Sequence, residues 1–171
     1  RNTNLLVCTG AELEVGWLPL LIRQSGNNAI QPGKPGYFEA AAFVRKLEVP
    51  ERLDRADGDV HAAGNPHIQT DPRNIALVAE PLARRLAELD PANAATYQAR
   101  STDFMARWKA ATQRWEKEAA PLRGIPVVVQ HKAFPYLQQW LGLVEVAVLE
   151  PKPGVEPTSA HLGAVLAGLQ A

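Results

Sequence analysis

Residues 127–149 read VVVQHKAFPYLQQWLGLVEVAVL, and this stretch decides the fold class. Val127 to Gln130 is a short, β-branched apolar run that reads as a buried strand. A short helix follows, with Phe134, Leu137, Trp140 and Leu141 as its apolar residues and Gly142 as its stop. Leu143 to Leu149 then reads as another strand. Strand, helix and strand in this order predict an α/β chain with a parallel sheet. The first strand delivers His131 at its C-terminal end, where open α/β sheets collect their ligands.

Upstream, the same signals recur. Leu5 to Thr9 is a continuous apolar run ending at Gly10, predicting a strand buried on both faces. A helix over Ala11–Gln24 should follow, with Leu13, Trp17, Leu20 and Leu21 as its stripe and Gly26 as its stop. Asn27 to Gly36 carries turn chemistry. Phe38 to Val49 allows either a short helix through the alanines or a strand at Lys46–Val49, and Asp54 to Gly64 reads as irregular.

Asp71-Pro72 is a strong helix start, an N-cap carboxylate before a proline at the first helical position. That helix is predicted to run to Leu89, with Ile75, Val78, Leu82, Leu86 and Leu89 on one face and a kink at Pro81. Asp90-Pro91 repeats the start signal. The helix after it reaches about Ala120, with Tyr97, Phe104, Trp108 and Trp115 on one aromatic face. Its length, on the order of 45 Å at about 1.5 Å per residue, suits a strut between two lobes. Glu150 to Gly154 reads as a rigid loop, and Thr158 or Ser159 as the cap of a last helix reaching Ala171.

Composition narrows the function. Eighteen basic residues balance 18 acidic ones without a run of like charge, so neither nucleic acid nor an anionic membrane is an expected partner. No apolar stretch is long enough to span a bilayer, which predicts a soluble chain. Arg1 to Asn4 runs straight into a strand and nothing completes a βα unit after the last helix, so the sequence reads as an internal fragment. The single cysteine, Cys8, reads as a small buried hydrophobe. Without thiolate pairs, a transition-metal site must be built from histidine and carboxylate.

Four histidines are therefore the candidates. His131 stands at a strand end. His67 lies in Asn65-Pro66-His67-Ile68-Gln69-Thr70-Asp71-Pro72, where two prolines stiffen the backbone around it. His61 reads as a solvated loop residue that could assist, and His161, inside the last helix, as a packing or capping residue. No phosphate loop, nucleophile elbow or zincin motif is present.

Taken together, four segments resemble one family. Gly64-Asn-Pro-His67 with Asp71-Pro72, Leu86 to Pro91, Val129-Gln-His131-Lys-Ala-Phe134-Pro-Tyr136 and Glu150-Pro-Lys-Pro-Gly154 are similar to motifs of the metal-specific solute-binding receptors of zinc and manganese ABC importers, lipoprotein adhesins included. The resemblance implies two Rossmann-like lobes with parallel sheets, joined by one long rigid helix and both incomplete here. Residues 1–90 would belong to the N-terminal lobe, 91–120 to the connecting helix and 121–171 to the start of the C-terminal lobe. It further implies a periplasmic or lipid-anchored receptor, not an enzyme, that hands its metal to a membrane permease. His67 and His131 match the second and third metal ligands, and the other two would lie outside residues 1–171. A histidine at 131 favours Zn2+ over Mn2+, in keeping with imidazole softness. Lys132 stands where the family often has an acidic residue, which removes that source of carboxylate support for His131. Two alternatives stay open: a metal-dependent hydrolase using the same histidines with an acid such as Asp71, and a fragment that binds no metal.

Overall fold

A computed structural model describes residues 2–52 and 61–170. Strand β1 (Leu6–Cys8), helix α1 (Leu18–Ser25) and strand β2 (Tyr37–Glu39) form the first unit. Helices α2 (Pro72–Leu89) and α3 (Ala94–Ala119) follow, and strand β3 (Pro126–Val129), helix α4 (Pro135–Leu141), strand β4 (Val144–Val148) and helix α5 (Ser159–Gln170) complete the chain. Both sheets are parallel pairs. In one, Leu6, Val7 and Cys8 face Tyr37, Phe38 and Glu39; in the other, Pro126 opposes Val144 and Val129 opposes Val148, with a bulge beside Val127 and Val128. The α/β class with parallel sheets and one long helix is as the sequence predicts.

Several elements differ from expectation. Residues 11–17 form turns rather than the first half of a helix. Ala11 and Glu12 sit at φ of 49° and 67°, outside helical geometry, and the Glu14 carboxylate accepts the backbone N–H groups of Thr9 (2.8 Å) and Gly10 (3.0 Å). Because helical phase begins only at Leu18, the buried face of α1 is Leu18 and Ile22, while Leu13, Trp17, Leu20 and Leu21 are exposed. Of the two readings of 38–49, the short helix through the alanines forms, as a 3-10 turn at Ala40–Phe43, while Lys46–Val49 is not a strand; the unpredicted strand β2 lies just before that turn. Nor is β1 buried on both faces, since Val7 is 50% exposed, and β3 leaves Val128 41% exposed. Only one other strand pairs with each among the described residues, so alternate side chains stay open. Most of the stretch 54–64 lies outside the described residues.

Helix α2 starts as its Asp-Pro signal demands, with the buried Asp71 carboxylate accepting the Arg73 N–H at 2.8 Å, and it runs unbroken through the buried Pro81. Helix α3 begins after a short 3-10 turn at Pro91–Asn93 and, at 26 residues, is about 39 Å long. It folds back along α2. Phe104 stacks on Trp108, Trp108 meets Trp115 edge-on at 5.5 Å, and the Trp108 indole N–H donates to the Pro72 carbonyl at 2.7 Å. Tyr97 instead turns its hydroxyl to Asp90, the residue before the helix.

Two small apolar clusters hold the rest. Cys8, Leu18 and Ile22 pack with Leu6 and Tyr37, so Cys8 is the buried small residue expected. Ala11, Ala41, Val44 and Ile68 pack around Tyr136, which is only 2% exposed and comes from α4. Tyr136 thus ties the segment after β3 into a core otherwise built from residues before α3.

Candidate metal centre

His67 follows the buried Pro66 and precedes a single 3-10 turn, Ile68–Thr70, whose far end leads into α2. The approach to it is tight. Gly64 has φ 96°, and a Cβ there would come within 2.8 Å of the Leu47 carbonyl, so glycine is required twice over, by its backbone angle and by the space. Beyond the ring, the Thr70 hydroxyl donates to the His67 carbonyl at 2.9 Å, and the Asn74 side chain donates to that of Ile68.

His131 follows β3, as predicted. The parallel pairing continues past the strand ends, where Glu150 donates its backbone N–H to the Gln130 carbonyl at 2.9 Å. That places the Glu150 side chain beside His131, and its carboxylate meets His131 Nδ1 at 2.7 Å while also accepting the Gly154 N–H at 3.1 Å. The bond to His131 lowers the Glu150 pKa below the usual carboxylate range.

The two imidazoles come together. Their centroids are 5.5 Å apart and their planes cross at 73°. Each ring has its Nδ1 against an oxygen, Asn65 Oδ1 at 2.9 Å for His67 and Glu150 Oε2 at 2.7 Å for His131. An oxygen acceptor on Nδ1 holds the proton there and leaves the Nε2 lone pair for a cation, the arrangement typical of metal-ligating histidine. Burial first, then the charges of His131 and His61, pushes the His67 pKa below the ordinary histidine value, favouring the neutral ring that a metal needs.

Glu48, His61, Gly64, Asn65, His67, His131, Lys132 and Pro153 line one cleft of about 250 Å³. His61 therefore shares the cleft with the predicted pair. His161 does not; its Nε2 lies 3.3 Å from the Val148 carbonyl and its N–H meets the Thr158 hydroxyl, so it packs at the end of β4 as expected. Asp71 is engaged by its cap and by Arg73, which holds both carboxylate oxygens, so Asp71 itself presents no free carboxylate to the histidines. Among the described residues, no group of three or more histidine, cysteine, aspartate or glutamate side chains could hold a metal ion. The chain brings the imidazoles of His67 and His131 together in the cleft, with His61 on its lining.

Sequence reasoning missed two supporting residues. Carboxylate support for His131 comes from Glu150, not from the position of Lys132. The signal was present, because Glu150 is the first residue after a strand predicted to pair in parallel with the one ending at His131. In the sequence Asn65 is only part of a stiff loop, and nothing in its neighbours announces that its side chain turns back onto the His67 ring.

Comparison with known proteins agrees with this fold. Zinc-uptake protein ZnuA of Brucella abortus is 27% identical over 96 residues, 56% of this chain and 29% of that protein. A crystal structure of ZnuA superposes with a TM-score of 0.73 at 23% identity, covering 96% of this chain and 57% of that one. A ZnuA deletion mutant with zinc bound superposes at 0.70 with 25% identity, covering 96% and 56%. The chain thus spans little more than half the length of the solved relatives it matches. Residues 1–171 match in full the family described as zinc-uptake complex component A, periplasmic, and the chain belongs to that family.

Proposed function

We propose that this chain forms the central part of a periplasmic receptor that captures zinc and delivers it to the permease of an ABC importer, without catalysing a reaction. His67 and His131 are two of its ligands, each through Nε2. The observation that carries this reading is the spacing of the two rings. With Zn–N bonds of about 2.0–2.1 Å, a zinc ion lies about 3.2 Å from each ring centroid, and a tetrahedral angle between two such ligands separates the centroids by about 5.2 Å. The 5.5 Å observed matches it. The remaining two ligands come from outside residues 1–171. All-nitrogen donation from this chain favours zinc, with manganese the second choice.

In this reading residues 1–90 belong to the N-terminal lobe, 91–120 form the connecting helix and 121–171 open the C-terminal lobe. The receptor is periplasmic or held at the cell surface by a lipid anchor; no helix among the described residues is long and apolar enough to cross a membrane. Zinc titration of the intact chain against a chromophoric chelator tests the ligand assignment. His67→Ala and His131→Ala should each weaken zinc binding by about 100-fold or more, beyond the 10–100-fold typical of losing a ligand's hydrogen-bond partner. Unchanged affinity in either variant refutes that ligand.

A further inference from the structure

Beyond the proposed ligands themselves, one side chain touches both His67 and the residue next to His131. Asn65 is 9% exposed and its amide is fully engaged. Its Oδ1 accepts the His67 backbone N–H at 3.0 Å and faces His67 Nδ1 at 2.9 Å. Its Nδ2 donates to Glu48 Oε2 at 2.9 Å and to the Lys132 carbonyl at 2.7 Å. These partners fix which end of the amide is oxygen, because a backbone N–H can only donate and a carbonyl can only accept. An oxygen facing Nδ1 in turn places the His67 proton on Nδ1.

The second set of contacts concerns distance. Lys132 is the neighbour of His131, so the Asn65 amide spans from one histidine segment to the other. The Asn65 carbonyl also accepts the Tyr136 hydroxyl at 2.6 Å, and that hydroxyl accepts the Leu47 N–H at 3.1 Å. Glu48, held at φ 51°, completes the ring of contacts by pairing with the Lys132 ammonium at 3.2 Å. A residue at positive φ without being glycine is costly to hold, and here the surrounding bonds hold it.

We propose that Asn65 is the positioning residue of the histidine pair: its amide oxygen sets the tautomer of His67, while its amide nitrogen and its carbonyl hold the His67 segment at a fixed distance from His131. The pair then stands formed before metal arrives, so little ordering remains for the binding step. This role rests on His67 and His131 being the ligands.

The test uses the intact chain, labelled with 15N and free of metal, read by long-range 1H–15N correlation of the imidazoles, together with zinc titration. In the wild type His67 carries its proton on Nδ1. Asn65→Ala moves the proton toward Nε2 and weakens zinc binding about 10–100-fold. Asn65→Asp keeps an acceptor and so restores the Nδ1 proton, yet binds zinc less tightly than wild type because nothing donates to the Lys132 carbonyl. Should Asn65→Ala fail to fold, Tyr136→Phe decides: it leaves the tautomer as in wild type and lowers affinity several-fold. An Asn65→Ala protein with an unmoved tautomer, or with wild-type zinc affinity while His67→Ala is crippled, overturns the proposal, as does a Tyr136→Phe protein of undiminished affinity. If His67→Ala itself binds zinc normally, it is the ligand reading that fails, and the tautomer still reports on Asn65 independently.

Discussion

In the proposed site, Glu150 is a residue that would act on a ligand without touching it. Its carboxylate accepts the Gly154 N–H and meets His131 Nδ1, so it acts on the ring's orientation rather than as a donor to the cleft. Glu150→Ala should weaken zinc binding about 10–100-fold, while Glu150→Gln, which still offers an oxygen to Nδ1, should lose less. Chelator competition at fixed pH measures both; an alanine variant that binds as wild type would show that the loop backbone alone orients His131. The carboxylate predicted as absent beside Lys132 is thus supplied from the neighbouring strand end. Lys132 has a different task, facing Glu48 at 3.2 Å and Glu145 at 3.8 Å across the rim of the cleft.

At the scale of elements, the sequence was most legible where a local signal and a tertiary need coincide. Asp71-Pro72 is such a place: the cap, the proline and the long apolar stripe all call for α2, and the helix begins there. Asp71→Ala should lower the unfolding free energy by about 0.5–2 kcal/mol, and Asp71→Asn by less, because asparagine keeps the cap but gives up one of the two oxygens that Arg73 holds. Urea denaturation resolves the two, and zinc affinity should stay within a few-fold of wild type in both; a collapse of affinity in Asp71→Asn would mean that the carboxylate serves the site. Reading failed where periodicity was carried across a break. Leu13 and Trp17 have helical spacing to Leu20, yet the positive φ of Ala11 and Glu12 and the Glu14 carboxylate on the Thr9 and Gly10 amides make turns of that segment. Strand β2 was hidden for another reason. Only three residues long and followed by alanines that favour helix, it exists because β1 needs a neighbour, a long-range demand that no window of sequence displays.

In the molecule as a whole, the two histidines come from segments more than 60 residues apart, and their spacing is only as constant as the packing between those segments. That packing centres on Tyr136. Its ring fills the cluster of Ala11, Ala41, Val44 and Ile68, and its hydroxyl bonds the Asn65 carbonyl and the Leu47 amide, so the part carrying His131 shares this core with the part carrying His67. If the two parts share a core, they must unfold together. Replacing a buried aromatic ring by a methyl group typically costs about 3–5 kcal/mol, a large fraction of the stability of an ordinary domain. Tyr136→Ala should therefore lower the unfolding midpoint steeply while keeping one transition, with far-UV circular dichroism and tryptophan fluorescence tracing the same curve. The tryptophans make this a fair test, since Trp17 lies before α1, Trp108 and Trp115 on α3, and Trp140 on α4. Two separated transitions in the variant, or in the wild type, would mean that each part stands on its own packing. The 5.5 Å between the imidazoles would then depend on bound metal rather than on the fold, and zinc should abolish the separation in the wild type but not in His131→Ala.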